Sequence, residues 1–172
     1  MNHPLFNPAL EERRKEIIRI NEKIKRAYPD FCACVEFMIY TGIRPSELWL
    51  IEEMELTMSG DLYFTPRKNN NPRTITNPMA VRIYGEERDK IIRFTRERSI
   101  QDLSRLVSRY FGSSIDFDHG RGTVLYIFRY MYVNHLVLCG KGKAAIQHEM
   151  GHKEMESTDK YFMSITAAKY KI

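Results

Sequence analysis

Residues 145–162, AIQHEMGHKEMESTDKYF, place His148, Glu149 and His152 in the H-E-x-x-H spacing of zinc-dependent hydrolases, with Tyr161 nine residues beyond His152. A zinc site of this kind needs both histidines on one face of an unbroken helix, the glutamate as base and a third ligand further on. Gly151 lies inside the pattern, where glycine is better suited to stopping a helix. The third ligand would have to come from Glu154, Glu156 or Asp159, all close by. The zinc hydrolase is therefore a remote alternative. Without the metal, His148 is a partly exposed helix residue with no assigned task.

One arginine suggests phosphate chemistry instead, and a second is a cation that needs a partner. In TGIRPSELWLI, Arg44 precedes a helix that Pro45 would start. A cation at the positive end of a helix dipole is unfavourable by roughly a few tenths of a kcal/mol. Glu47 in the first turn partly offsets this. A solvated surface arginine is the plain reading. The sharper one is an anion site, where helix N–H groups and a guanidinium converge on one phosphate. In YIFRYMYVNHL, Arg129 stands in an apolar helix. A buried arginine needs a partner, and Tyr126 shares its face at i−3. His135 on the same helix reads as a structural hydrogen-bonding residue, and Trp49 as core.

The elements that must position these groups are mostly helical. Leu10, Ile17, Ile20 and Ile24 recur near helical spacing, so 9–27 reads as an amphipathic helix. A second helix starts at Pro29, buries Phe31, Val35, Met38 and Ile39, and ends at Gly42. Residues 45–53 form the next. In 61–78, LYF and RTIT flank an Asn-rich turn and read as a β-hairpin. Residues 86–97 and 100–111 are predicted helices, the latter with Leu103, Leu106, Val107 and Tyr110 at i, i+3, i+4, i+7. FGSSIDFDHGRG is a loop. A long helix spans 123–139 and stops at Gly140. A short one around 143–150 stops at Gly151, and Ser157 or Thr158 caps a last helix carrying Tyr161. The fold class is α+β, mainly helical with one small antiparallel sheet.

The chain has 172 residues, 43% hydrophobic and 28% charged, which suits one globular domain. Net charge is +5 and the isoelectric point about 9.1, compatible with a polyanion partner. The basic residues recur along the whole chain, as on a surface facing a phosphate backbone. No window approaches a membrane helix, and the N-terminus is too charged for a secretory signal. Cytoplasmic location is expected. Cys32, Cys34 and Cys139 read as buried small hydrophobes in a reducing compartment.

Thr41, Gly42, Arg44, Glu47 and Leu48 match the T-G-x-R-x-x-E-L box of tyrosine recombinases, the phage-integrase family. The resemblance extends over essentially the whole chain. Tyr126 and Arg129 fall on the family's H-x-x-R box. Gly151 and His152 follow Arg129 by 22 and 23 residues, and Tyr161 follows His152 by nine, as in the family. Lys68 sits where the family has its hairpin lysine. Tyr126 departs from the pattern, which has histidine or sometimes lysine there. A phenol can donate a hydrogen bond to phosphate but shuttles protons poorly at neutral pH.

The resemblance implies the recombinase catalytic-domain fold over 1–172, without the N-terminal DNA-clamping domain that family members usually carry. It also implies a mechanism without cofactor or metal. Tyr161 would attack the phosphodiester to give a 3′-phosphotyrosyl link and a free 5′-hydroxyl. Arg44 and Arg129 would grip the non-bridging oxygens. Lys68 would protonate the leaving 5′-oxygen, His152 would hydrogen-bond the phosphate, and Tyr126 would help position it. Arg67, Lys68 and Arg73 would contact DNA. The implied partner is double-stranded DNA, with a homotetramer on synapsed sites and a monomer in isolation. The implied role is integration or recombination by a mobile element or phage. A type IB topoisomerase-like strand transferase and a catalytically inactive DNA-binding relative are the nearer alternatives.

Overall fold

Helix α1, Pro8–Ile24, begins where Asn7 accepts hydrogen bonds from the amides of Ala9 and Leu10 at 3.0 and 3.2 Å. That side-chain cap and Pro8 in the first turn are the expected start signals. A computed structural model describes residues 6–66, 71–112 and 124–151. Helix α2, Pro29–Thr41, follows. Its residues Phe31 to Val35 and Phe37 to Ile39 are all buried, so it is wrapped on every side. Gly42 ends it in the left-handed conformation (φ 63°), its N–H returning to the Met38 carbonyl. Only glycine adopts that conformation at little cost.

Pro45–Glu53 is helical but of the tighter 3-10 type, with the Glu47 amide bonded to the Arg44 carbonyl. Leu48, Leu50 and Ile51 anchor it in the core. A three-stranded antiparallel sheet follows in the order β1 (Glu55–Leu56), β2 (Leu62–Phe64), β3 (Arg73–Ile75). The expected hairpin is β2–β3, with Leu62 opposite Ile75 and Phe64 opposite Arg73. Period-two alternation buries Leu62, Phe64, Arg73 and Ile75 while Tyr63 and Thr74 take the other face. Strand β1 was not expected; its two residues are both exposed and leave no alternation to read.

Helix α3, Pro78–Glu97, starts eight residues earlier than the sequence suggested. Asn77 caps it by accepting from the Met79 amide, and its amide group also donates to the Tyr40 carbonyl, joining this start to the end of α2. Helix α4 is Ile100–Phe111, capped by Ser99 and Asp102 reciprocally. The predicted 123–139 helix is a 3-10 turn, Val124–Tyr126, leading into α5, Ile127–Leu138. Helix α6, Lys143–Met150, stops at Gly151 (φ 69°). No described helix is long and apolar enough to cross a membrane.

The cysteines divide. Cys32 and Cys34 are fully buried as expected, and burial pushes the Cys32 thiol up to about 12 and the Cys34 thiol well above its ordinary value. Cys139 is instead exposed, because it caps the end of α5, where the chain turns out at Gly140.

Candidate functional site

Arg73 is the organising residue of the site. Its position on β3 faces the same side as buried Ile75, and the side chain is 1% exposed. Its Nε donates to the Glu149 carbonyl at 2.8 Å, and Nη2 donates to the Thr41 carbonyl. One guanidinium thus joins the hairpin, the end of α2 and the end of α6. Burial and the neighbouring Arg129 charge lower its pKa to about 10, against opposing fields from Tyr132, Glu47 and Glu149. It stays cationic at neutral pH. Among the described residues its buried Nη1 has no hydrogen-bond partner. The expectation that Arg73 contacts DNA is not what this arrangement gives: its donors are turned inward to main-chain carbonyls. The alternation R-T-I, with Arg73 two residues from Ile75, was the signal that placed it on the buried face.

Arg129 is another buried cation of the site, 0% exposed in the middle of the first turn of α5. Its Nη1 donates to the Gly42 carbonyl at 2.5 Å. Gly42 lies two residues before Arg44 and 87 positions from Arg129, so the two arginine segments meet in space. Arg44 is partly buried. Its amide donates to Glu47 Oε1 at 2.6 Å, and its Nη1 lies 3.4 Å from Glu47 Oε2. Glu47 therefore offsets the unfavourable position of a cation at this helix start. Tyr126 ends the 3-10 turn that leads into α5 and packs partly buried against the core.

The third segment to arrive is the end of α6. Asn71 Nδ2 donates to the Gly151 carbonyl at 3.0 Å, so the hairpin holds the residue that precedes His152 in sequence. Glu149 is 8% exposed and accepts from the Tyr132 hydroxyl at 2.5 Å. Burial, together with the Glu149 charge, raises the Tyr132 pKa, which keeps the phenol neutral and donating. Sequence reasoning weighed Glu149 only as a zinc-site base. Its spacing with Ile146 and Met150, both 0% exposed, was the sign of an inward face. Among the described residues, three guanidiniums (Arg44, Arg73, Arg129) stand with two carboxylates (Glu47, Glu149), leaving a positive balance suited to an anion.

The zinc pattern finds no support in this geometry. Gly151 ends α6 between the two histidines, and His148 is exposed while the adjacent Glu149 is buried. No group of three or more metal-ligating side chains occurs among the described residues. Arg67, Lys68, His152 and Tyr161 lie outside the described residues. No family model, curated protein or solved structure matches the chain.

Proposed function

We propose that the chain is a tyrosine-type DNA recombinase that cleaves and rejoins strands through a 3′-phosphotyrosyl intermediate. The observation that carries this reading is the bond from Arg129 to the Gly42 carbonyl. It sets the second arginine box against the first, as phosphate recognition by both would require. The Arg73 and Asn71 bonds bring Glu149 to Gly151 to the same place. Lys68 and His152 are each joined to it by short lengths of chain: Lys68 is three residues from Asn71, and His152 follows Gly151.

In this reading Arg44 and Arg129 bind the non-bridging oxygens of one phosphate and stabilise the charge that develops in the transition state. Binding exchanges the Gly42 carbonyl for phosphate as an acceptor of Arg129. Arg73 stays on its carbonyls and fixes the frame. Tyr161 attacks phosphorus, Lys68 supplies the proton to the leaving 5′-oxygen, and His152 hydrogen-bonds the phosphate. Tyr126 donates a hydrogen bond without moving a proton. The phosphodiester energy is retained in the phosphotyrosine, so the reverse step needs only a 5′-hydroxyl. The same residues would serve a topoisomerase; strand exchange between two duplexes separates the two activities.

The test uses nicked duplexes in which cleavage releases a short oligonucleotide and traps the enzyme. The wild-type chain forms a covalent adduct in the presence of chelator, and Tyr161→Phe forms none. Cleavage that chelator abolishes, or DNA binding without any adduct across substrates from its own element, refutes the recombinase reading. The second outcome favours an inactive DNA-binding relative.

A further inference from the structure

Helix α5 carries a second cluster at its other end, outside the phosphate site. His135 Nδ1 lies 3.1 Å from Glu11 Oε1, and His135 Nε2 lies 3.6 Å from Cys139 Sγ. Glu11 is 4% exposed, on α1, and its Oε1 also accepts from Arg14 Nη1 at 3.2 Å. A carboxylate on Nδ1 fixes the tautomer with its proton there, which leaves the Nε2 lone pair facing sulfur. This is the order of groups that activates a thiol: nucleophile, base, and a carboxylate that orients the base. Cys139 is exposed, and it lines an open cavity of about 270 Å³ with His135, Lys141, Tyr132 and Glu149.

We infer that Cys139 is an activated thiol that exchanges with small anionic disulfides in this cavity, with His135 as its base and Glu11 orienting the base. The thiol proton passes from Sγ to His135 Nε2. The thiolate attacks one sulfur of R–S–S–R; a Cys139–S bond forms, the S–S bond breaks, and the departing thiolate takes the proton back from the imidazolium. Lys141 favours an R group bearing a carboxylate, while the Glu149 carboxylate on the same lining is held by the Tyr132 hydroxyl and the field of Arg73. The mixed disulfide would lie in the cavity that Tyr132 and Glu149 also line, and so beside the frame that holds the end of α6.

The experiment follows thiolate release from 5,5′-dithiobis(2-nitrobenzoate) by the native 172-residue chain at neutral pH. One equivalent is released per chain, because Cys32 and Cys34 are 0% exposed. Its rate exceeds that of a peptide of residues 136–143 by about tenfold. Cys139→Ser removes the reaction, and His135→Gln, checked for folding by circular dichroism, brings it to the peptide rate. The cationic disulfide cystamine shows a smaller advantage over the peptide than the anionic reagent does. Equal rates for native chain and peptide overturn the inference, and that comparison needs no variant to fold. A native rate that a folded His135→Gln leaves unchanged overturns it equally.

Discussion

Replacing Gly42 by alanine tests the junction between the two arginine segments. A Cβ at this position would lie 2.2 Å from Tyr132 Cδ1, 2.7 Å from Cγ and 3.0 Å from Cβ. The ring cannot simply swing away. It is 2% exposed, and its hydroxyl is held by Glu149. The left-handed backbone at φ 63° adds about 1–2 kcal/mol for a residue with a side chain. Forcing a methyl into a packed site adds about 1–3 kcal/mol. The sum, roughly 2–5 kcal/mol, is a large share of the stability of a domain this size. Gly151→Ala is the control: φ is 69°, yet its Cβ would meet Arg73 at an ordinary 3.6 Å. Only the backbone term of about 1–2 kcal/mol applies there. Thermal unfolding followed by circular dichroism should lower the midpoint of Gly42→Ala by roughly 10 °C, about twice the drop for Gly151→Ala. Equal effects from the two substitutions would refute the close approach of Tyr132 to the α2 terminus.

Further outcomes follow from other contacts. Arg73→Gln leaves the Thr41 and Glu149 carbonyls without their guanidinium donor and costs about 3–5 kcal/mol in urea unfolding. Asn134 clasps both the amide and the carbonyl of Asn7, at 2.8 and 2.9 Å, so Asn134→Ala loosens α1 from α5 by about 1–3 kcal/mol. The Glu87 carboxyl is held below its ordinary value of 4.5: burial alone would raise it, but Lys90 and Lys25 together outweigh burial. A depressed acid contributes stability that is present above that value and lost as pH falls through the folded pKa. Glu87→Gln therefore flattens the acid limb of the stability–pH curve, measured as urea midpoints from pH 6 to 3, an interval of about that width around the carboxylate range.

The stops and starts of this fold were the most legible features of the sequence. Gly42 and Gly151 end their helices in the left-handed conformation, and Pro29 and Pro45 open the next segments, because backbone sterics act locally. The β2–β3 hairpin was legible for the same reason. The first half of α3 was not, since Gly85 and a charged exposed face weaken its pattern, and its cap at Asn77 is fixed partly by a tertiary bond to Tyr40. In the site, the contact of Arg129 with the Gly42 carbonyl joins residues 87 positions apart. The inward turn of Arg73 and the Tyr132–Glu149 bond depend on which elements pack together, which spacing alone does not encode. Cys139 escaped because a helix end can lie at the surface even when the helix before it is buried from Ile127 to Asn134.

The most direct test is a crystal structure of the chain on a nicked duplex with vanadate bridging the nick. The account predicts vanadium bonded to the Tyr161 oxygen, with the guanidiniums of Arg44 and Arg129 both at roughly 3 Å from its oxygens. Vanadate bound away from the junction of Gly42 and Arg129, or coordinated without Tyr161, would contradict it.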